Sequence, residues 1–193
     1  LFLLFREVRE VFLYYFYHII SFFKYINKCY SECTYKKGGT IVATLTVSKE
    51  EEKRLKGMGF LSNKGTDNFS ARVITVNGKV TAAQQRCLAE AAEKFGNGIL
   101  TFTTRQTVEV QGIPYENIDA FQEYLAKEGL ETGGTGPLIR PIVSCKGTTC
   151  QYGLLDSYAV SEEIYRRFYE GYREVALPHK FKIAVGGCPN NCV

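Results

Sequence analysis

Four cysteines in the last fifty residues stand in two pairs, Cys145-x4-Cys150 within CKGTTC and Cys188-x3-Cys192 within CPNNC, each embedded in Gly, Thr, Pro and Asn. Each pair follows a stretch that reads as a strand, so two loops can present four thiolates to one object. Structural zinc sites favour C-x2-C knuckles, whose tight turn aims both sulfurs at a small tetrahedral ion. The longer spacings here suit an iron–sulfur cluster better. Zinc is the second reading, and a pair of disulfides is the third because nothing else in the sequence indicates export. Of the remaining cysteines, Cys87 falls on the apolar face of a predicted helix, where a free thiol behaves as a small hydrophobe. Cys29 and Cys33 belong to an N-terminal stretch of different character and are given no function.

Positive charges lie close to the cysteine pairs. Lys180 and Lys182 are two residues apart on a predicted strand, so they share one face while Phe181, Ile183 and Val185 take the other. Arg140 precedes the first pair on its strand, and Arg105 sits between two strands further upstream. Each alone reads as a solvated surface charge. Gathered beside a cysteine cluster, the four would make a cationic pocket for a small anion.

The charge of the whole chain adds little to this. Its 193 residues carry 24 Lys+Arg against 20 Asp+Glu, a formal +4. Residues 1–41 hold six of the cations and three of the acids, which leaves 18 against 17 over residues 42–193. That remainder has no basic field, and its aromatics do not interleave with basic stretches, so a zinc-bearing nucleic-acid module is set aside. With 45% hydrophobic and 23% charged residues, disorder, collagen-like repetition and a disulfide-dense mini-scaffold are excluded too.

Residues 1–41 contain 12 of the 26 aromatics and no Ala, Pro, Asp or Gln. Their uncharged run, residues 11–23, falls short of the roughly 20 apolar residues that span a membrane. Arg6-Glu7-Val8-Arg9-Glu10, lying between two apolar blocks, does not suit a signal peptide. An interfacial or signal-anchor helix and a packing helix are alternatives to a non-native upstream extension. The extension is favoured, because Phe, Tyr, Ile, Lys and Asn are what AT-rich DNA encodes and Lys37-Gly38-Gly39 is what a purine-rich ribosome-binding site spells. The natural start is then expected near Val42, which the intact mass of the native protein checks: a mass that includes residues 1–41 refutes it.

The elements that must position the cysteines follow from periodicity and punctuation. Ser48 caps a solvated helix over residues 48–56, with Glu51 completing a capping box, and residues 57–61 break it. Residues 71–76 alternate as a strand and close at the Asn77-Gly78 turn. Residues 81–95 form the clearest helix: Thr81 and Gln84 make a capping box, Cys87, Leu88, Ala91 and Phe95 line one face, and Gly96 ends it. Strands at 99–103 and 107–111 flank Thr104-Arg105-Gln106. Pro114 opens a helix carrying Ile118, Phe121 and Leu125 on one face, stopped by Gly129. The order strand, helix, strand, strand, helix begins a ferredoxin-like split βαβ unit. A Gly-rich linker, residues 132–137, leads to a strand at 138–144, a helix at 155–169 with Tyr158, Tyr165 and Phe168 among its apolar positions, and a strand at 181–185.

At this point the residues resemble a known family. Leu177-Pro178-His179-Lys180-Phe181-Lys182 followed by Gly186-Gly187-Cys188-Pro189-Asn190-Asn191-Cys192 is similar to the sirohaem-dependent sulfite and nitrite reductases, as is Thr103-Thr104-Arg105-Gln106-Thr107. The resemblance runs from about residue 57 to residue 193 and is nearest the anaerobic and dissimilatory-type sulfite reductases. It implies that Cys145, Cys150, Cys188 and Cys192 bind a [4Fe–4S] cluster, with Cys192 bridging to the sirohaem iron. It also implies that Arg105, Arg140, Lys180 and Lys182 fall on substrate-binding cations, and that Thr104, Arg105, Gln106 and Cys192 contact the cofactors. The first pair is one residue tighter than the C-x5-C spacing of many members.

The expected architecture is α+β: a ferredoxin-like half-domain over residues 42–131, then the start of a sirohaem and [4Fe–4S]-binding α/β domain over residues 132–193. The expected activity is six-electron reduction of sulfite to sulfide or nitrite to ammonia, fed by a donor such as ferredoxin or a reductase subunit. The location is cytoplasmic, where thiolate ligands stay reduced. The family pattern continues beyond Val193, so the sequence is expected to be an N-terminal portion, and a cluster-bearing electron carrier without catalysis is the alternative. Nucleic acid is not an expected partner, nor is a membrane unless residues 1–41 are native.

Overall fold

The computed structural model describes residues 47–193; the readings made on residues 1–41, Cys29 and Cys33 among them, lie outside the described residues. Helix α1 (Lys49–Gly57) starts where Ser48 accepts the Glu51 N–H at 3.2 Å. The Glu51 carboxylate, expected to return to the Ser48 backbone, instead takes the Arg54 guanidinium at 2.8 and 2.6 Å. Two charge-assisted bonds to a planar fork outweigh one bond to an amide. Strand β1 (Phe60–Ser62) occupies what reads in the sequence as a simple break, three residues being too few for an alternating pattern to show. Gly59 makes its entry possible. Its φ is +101°, and a Cβ there would lie 2.4 Å from the Gly133 nitrogen.

Strand β2 (Asn68–Val73) runs earlier than the 71–76 expectation and hands over to the Val76–Lys79 bridge, where Asn77 and Gly78 at φ 60° and 69° make the anticipated hairpin turn. Helix α2 (Ala82–Phe95) has both halves of its Thr81/Gln84 capping box, at 3.0 and 3.1 Å. Cys87, Leu88, Ala91 and Ala92 are buried on its inner face, and burial pushes the Cys87 thiol up, as befits a core residue. Strands β3 (Leu100–Phe102) and β4 (Val108–Pro114) follow, and a short 3-10 turn, Tyr115–Asn117, separates Pro114 from helix α3 (Ile118–Ala126). Pro114 therefore closes a strand, and the helix opens four residues later than expected. Ile118, Phe121 and Leu125 are its buried face.

The four strands form one antiparallel sheet in the order β1-β2-β4-β3. β4 inserts between β2 and β3, which is the split βαβ arrangement of a ferredoxin-like half-domain. The fourth sheet position, beside β2, is shared: β1 fills it alongside residues 69–71, and Thr132 bridges Val73 further along. α2 and α3 cover one face, with Phe121 edge-on to both Phe60 and Phe95 at 6.2 and 6.1 Å.

Residues 132–137, expected as a free linker, are packed. Thr132 and Thr135 are buried, Thr135 donates its hydroxyl to the Lys56 carbonyl, and a Cβ on Gly134 would meet the Pro141 ring at 2.6 Å. Glycine here serves close approach and not flexibility. Beyond it lies a small parallel pair, β5 (Val143–Ser144) and β6 (Ala184–Val185). The expected strands at 138–144 and 181–185 do run side by side: Phe181 N–H reaches the Leu138 carbonyl at 3.1 Å, Arg140 N–H the Phe181 carbonyl at 2.9 Å, and Val143 N–H the Ile183 carbonyl at 3.2 Å. Pro141 has no N–H, so the regular ladder is confined to the end nearest the cysteines. Phe181, expected on the face opposite Lys180 and Lys182 together with Val185, is 56% exposed, whereas Val185 is buried.

Helix α4 (Ser157–Ile164), capped by Asp156, continues into a π-helical turn, Tyr165–Glu170. The wider turn shifts the phase of the buried face by one residue. Tyr169 is buried and Phe168 is exposed, while Ser157 and Ser161, not Tyr158, face inward nearer the start. Tyr169 joins Ile74, Ile139, Ile142 and Val185 in a second core. The fold is α+β, a ferredoxin-like half-domain followed by this parallel-strand unit. No helix among the described residues is long and apolar enough to cross a membrane.

Candidate functional site

β5 and β6 end side by side, and each releases a cysteine loop. Cys145 N–H still bonds the Val185 carbonyl at 3.1 Å, so the first cysteine is anchored directly after β5. The 3-10 turn Gly147–Thr149 then carries the chain to Cys150. On the other side Gly187 leads into Cys188, and Asn191, at φ 50°, turns the CPNNC segment so that Cys192 is exposed. All four are free thiols, and all four line one cavity of about 520 Å³. Among the described residues, no three His, Cys, Asp or Glu side chains close on a single-ion position.

The donor set and its surroundings fit a cluster. Burial pushes the Cys145 thiol up, but the Gly187 N–H at 3.1 Å, the Ser157 hydroxyl and nearby backbone N–H groups outweigh it and hold the thiol below its ordinary value. A thiolate is the ligand form that iron requires. Glycines make room for this: a Cβ on Gly147 would sit 3.2 Å from the Cys145 sulfur, and one on Gly187 would sit 3.4 Å from it. Thr148 and Asp156 tie the loop to α4, the hydroxyl donating to the carboxylate at 2.5 Å, and this bond holds the Asp156 carboxyl below its usual range.

The opposite wall of the cavity comes from the half-domain. Thr75, Asn77, Gly78, Val80, Phe102 and Gln106 line it, with Phe102 72% exposed on its surface. An exposed aromatic ring beside small and polar side chains suits a ligand with an apolar face and polar edges. The turn that joins β3 and β4 is closed by Thr103, whose hydroxyl accepts the Arg105 and Thr107 N–H groups at 3.3 and 3.2 Å, and Thr104 is exposed at its tip.

The candidate cations are distributed differently from what their spacing suggests, for none of the four lines the cysteine cavity. Arg105 donates to the Pro141 carbonyl at 3.2 and 2.6 Å and to the Ile183 carbonyl at 3.0 Å. Arg140 donates to the Gly134 carbonyl and has a buried Nε without a partner. Burial and then the Arg140 charge lower the Arg105 guanidinium from its ordinary value, while burial and then Arg72 lower Arg140. Arg140 and Lys180 meet in a separate cleft of about 440 Å³, together with Lys53, Lys56 and His179. Lys182 is exposed. The cation that does line the cysteine cavity is Lys146, which sequence reading passed over although it adjoins Cys145. Gly147, Gly153, Gly187 and Ser157 were missed as well. Glycines crowded around cysteines were the available signal; Ser157 gave none.

The model of the Nitrite/Sulfite reductase ferredoxin-like half domain matches residues 62–128, and that of the Nitrite and sulphite reductase 4Fe-4S domain matches residues 135–193. An uncharacterized protein of Methanocaldococcus jannaschii is 35% identical over 126 residues, covering 65% of this chain and 44% of that protein. The dissimilatory-type sulfite reductase subunit alpha of Allochromatium vinosum is 34% identical over 115 residues, covering 58% of this chain and 27% of that protein. Among solved structures, the Mycobacterium tuberculosis NirA protein aligns with a TM-score of 0.63 at 24% identity, over 73% of this chain and 30% of that one, a likeness of fold. The chain thus spans less than half the length of these curated relatives. Two domains of one family, matched in order onto the half-domain and the cysteine unit, establish that this chain belongs to the nitrite and sulfite reductase family.

Proposed function

We propose that residues 42–131 are the ferredoxin-like half-domain, and residues 132–193 the cofactor-binding start, of an enzyme that reduces sulfite to sulfide or nitrite to ammonia. In this reading Cys145, Cys150, Cys188 and Cys192 would hold a [4Fe–4S] cluster, and Cys192 would also serve as a ligand to a sirohaem. The observation that carries it is that four free thiols, from two loops released by one parallel strand pair, line a single cavity. The cofactor pair would supply the electron storage that side chains lack and a six-electron reduction requires.

The chain's own part is electrostatic. Gly187 N–H and the Ser157 hydroxyl favour the thiolate form of Cys145. Arg105, Arg140, Lys180 and Lys182 supply positive charge for an oxyanion or for the carboxylates of the macrocycle, the lysines adding a transferable proton. Ferredoxin or a reductase subunit donates the electrons, and the reducing cytoplasm keeps the thiolates available.

A second reading, a cluster-bearing electron carrier, draws support from one observation: none of the four cations lines the cysteine cavity. Turnover separates the two. The native enzyme, purified anaerobically and supplied with a reduced dye, is expected to consume sulfite or nitrite. Lys182→Ala is expected to keep both cofactor spectra and lose about 10²- to 10³-fold in turnover, the usual loss for a deleted oxyanion donor. Unchanged kinetics in the variant would remove Lys182 from the site, and absence of turnover in the native enzyme would favour the carrier.

A further inference from the structure

β5 and β6 have two residues each in regular pairing, too short a ladder to fix the cysteine loops unaided. What holds β5 on its other side is a side chain. Gln106 Nε2 donates to the Ser144 carbonyl at 2.6 Å, and Gln106 Oε1 accepts the Ser144 N–H at 3.0 Å. One side-chain amide thereby supplies both bonds that a neighbouring strand would give to Ser144. Its own backbone is set for this. Gln106 sits at φ 58°, a left-handed conformation uncommon outside glycine, and its carbonyl accepts the Thr75 hydroxyl. A Cβ on Gly78 would lie 3.2 Å from the Gln106 Cβ, so the neighbouring hairpin packs directly on the side chain.

We infer that Gln106 is a positioning residue for the cysteine centre: through the Ser144 backbone it fixes Cys145 against the loop that carries Cys188. Ser144 is the residue before Cys145, whose sulfur accepts the Gly187 N–H, so a displacement of Ser144 moves the first ligand relative to the second pair. Arg105, bonded to the carbonyls of Pro141 and Ile183, braces the other end of the same strands. The consequence for a metal centre rests on the reading of the four cysteines as cluster ligands; the clasp itself does not.

Gln106→Glu tests this, because only the protonated carboxyl keeps both donor and acceptor. Once ionised, it loses the donor and sets a charge against the Ser144 carbonyl. The full chain is reconstituted anaerobically with iron and sulfide, and the electron paramagnetic resonance of the reduced centre is recorded between about pH 5 and pH 8.5, bracketing a carboxyl titration. Comparison with wild type at each pH cancels the pH effects that the two chains share, Cys145, Lys146 and Tyr158 lining the same cavity in both. The Glu variant is expected to match wild type in acid and depart from it as the carboxyl ionises, and Gln106→Ala is expected to depart at every pH. A variant spectrum that tracks wild type throughout overturns the positioning role. Hydrogen exchange of the Ser144 amide in the metal-free chain reads the clasp by itself, and about tenfold faster exchange is expected in Gln106→Ala, as loss of one hydrogen bond implies. Unchanged exchange overturns the clasp. Faster exchange in a chain whose wild type assembles no centre keeps the clasp and overturns the cluster reading instead.

Discussion

Replacing Cys192 with serine is expected to abolish the iron–sulfur absorbance and the haem absorbance together, while leaving thermal unfolding of the metal-free chain almost unchanged. The two halves of this expectation come from different physics. Cys192 is exposed at the end of the CPNNC turn, outside both cores, so the swap of sulfur for oxygen should alter stability by no more than about 0.5 kcal/mol. Its sulfur nevertheless lines the cavity shared with the other three thiols, and thiolates are the ligands that hold iron–sulfur clusters. A serine hydroxyl is a harder donor that is not ionised at neutral pH. Loss of both spectra, with the metal-free variant melting as the metal-free wild type does, fits a shared ligand. Loss of the cluster alone would remove the bridge to the haem, and retention of both would remove Cys192 from the centre.

Gly153→Ala is expected to have the largest effect of any single methyl group. A Cβ at this position would lie 1.9 Å from the Gly147 carbonyl oxygen and 3.1 Å from that of Cys150. Both are backbone atoms of the cysteine loop and cannot rotate aside. Gly153 N–H bonds the Cys150 carbonyl at 2.9 Å, and the next residue, Leu154, donates to Gly187 at 2.9 Å, so the first cysteine loop meets the second here. Forcing this junction apart should cost about 1–3 kcal/mol or more. Iron content after reconstitution should fall sharply, while α2 and α3, remote from the junction, keep their circular dichroism. Gly57→Ala, with nothing within 4 Å of its Cβ, is the control and should bind iron as wild type does. Full iron content in Gly153→Ala would mean that the loop geometry described here does not govern the centre.

How far the sequence foretold this arrangement depends on how local each feature is. Helix α2 was legible because its capping box and its 3.6-residue periodicity lie within one run of residues. The cysteine pairs were legible because their residue types, spacing and neighbouring glycines belong to the chemistry itself. β1 was not: three residues carry no period, and the Gly59 contact that admits it comes from Gly133, more than seventy positions away. The π-helical turn after Ile164 defeated a strict helical count and exchanged Phe168 for Tyr169 in the core. Residues 132–137 have the composition of a linker, yet Thr132 pairs with Val73 and Thr135 is buried, contacts that composition does not encode. The cations show the same limit. Alternation put Lys180 and Lys182 on one face, but only the packed structure shows Arg105 bound to the Pro141 and Ile183 carbonyls and Arg140 beside Lys180 in a cleft of its own.

The central claim is that Cys145, Cys150, Cys188 and Cys192 together hold one cluster, and metal analysis tests it most directly. The full chain, reconstituted anaerobically and freed of excess reagents, is assayed for iron, acid-labile sulfide and zinc. Four irons and four sulfides per chain are expected, the composition named for the matched domain, falling to none when Cys145 and Cys188 are both replaced by serine. One zinc per chain with no iron, or iron that persists in the double variant, would contradict it.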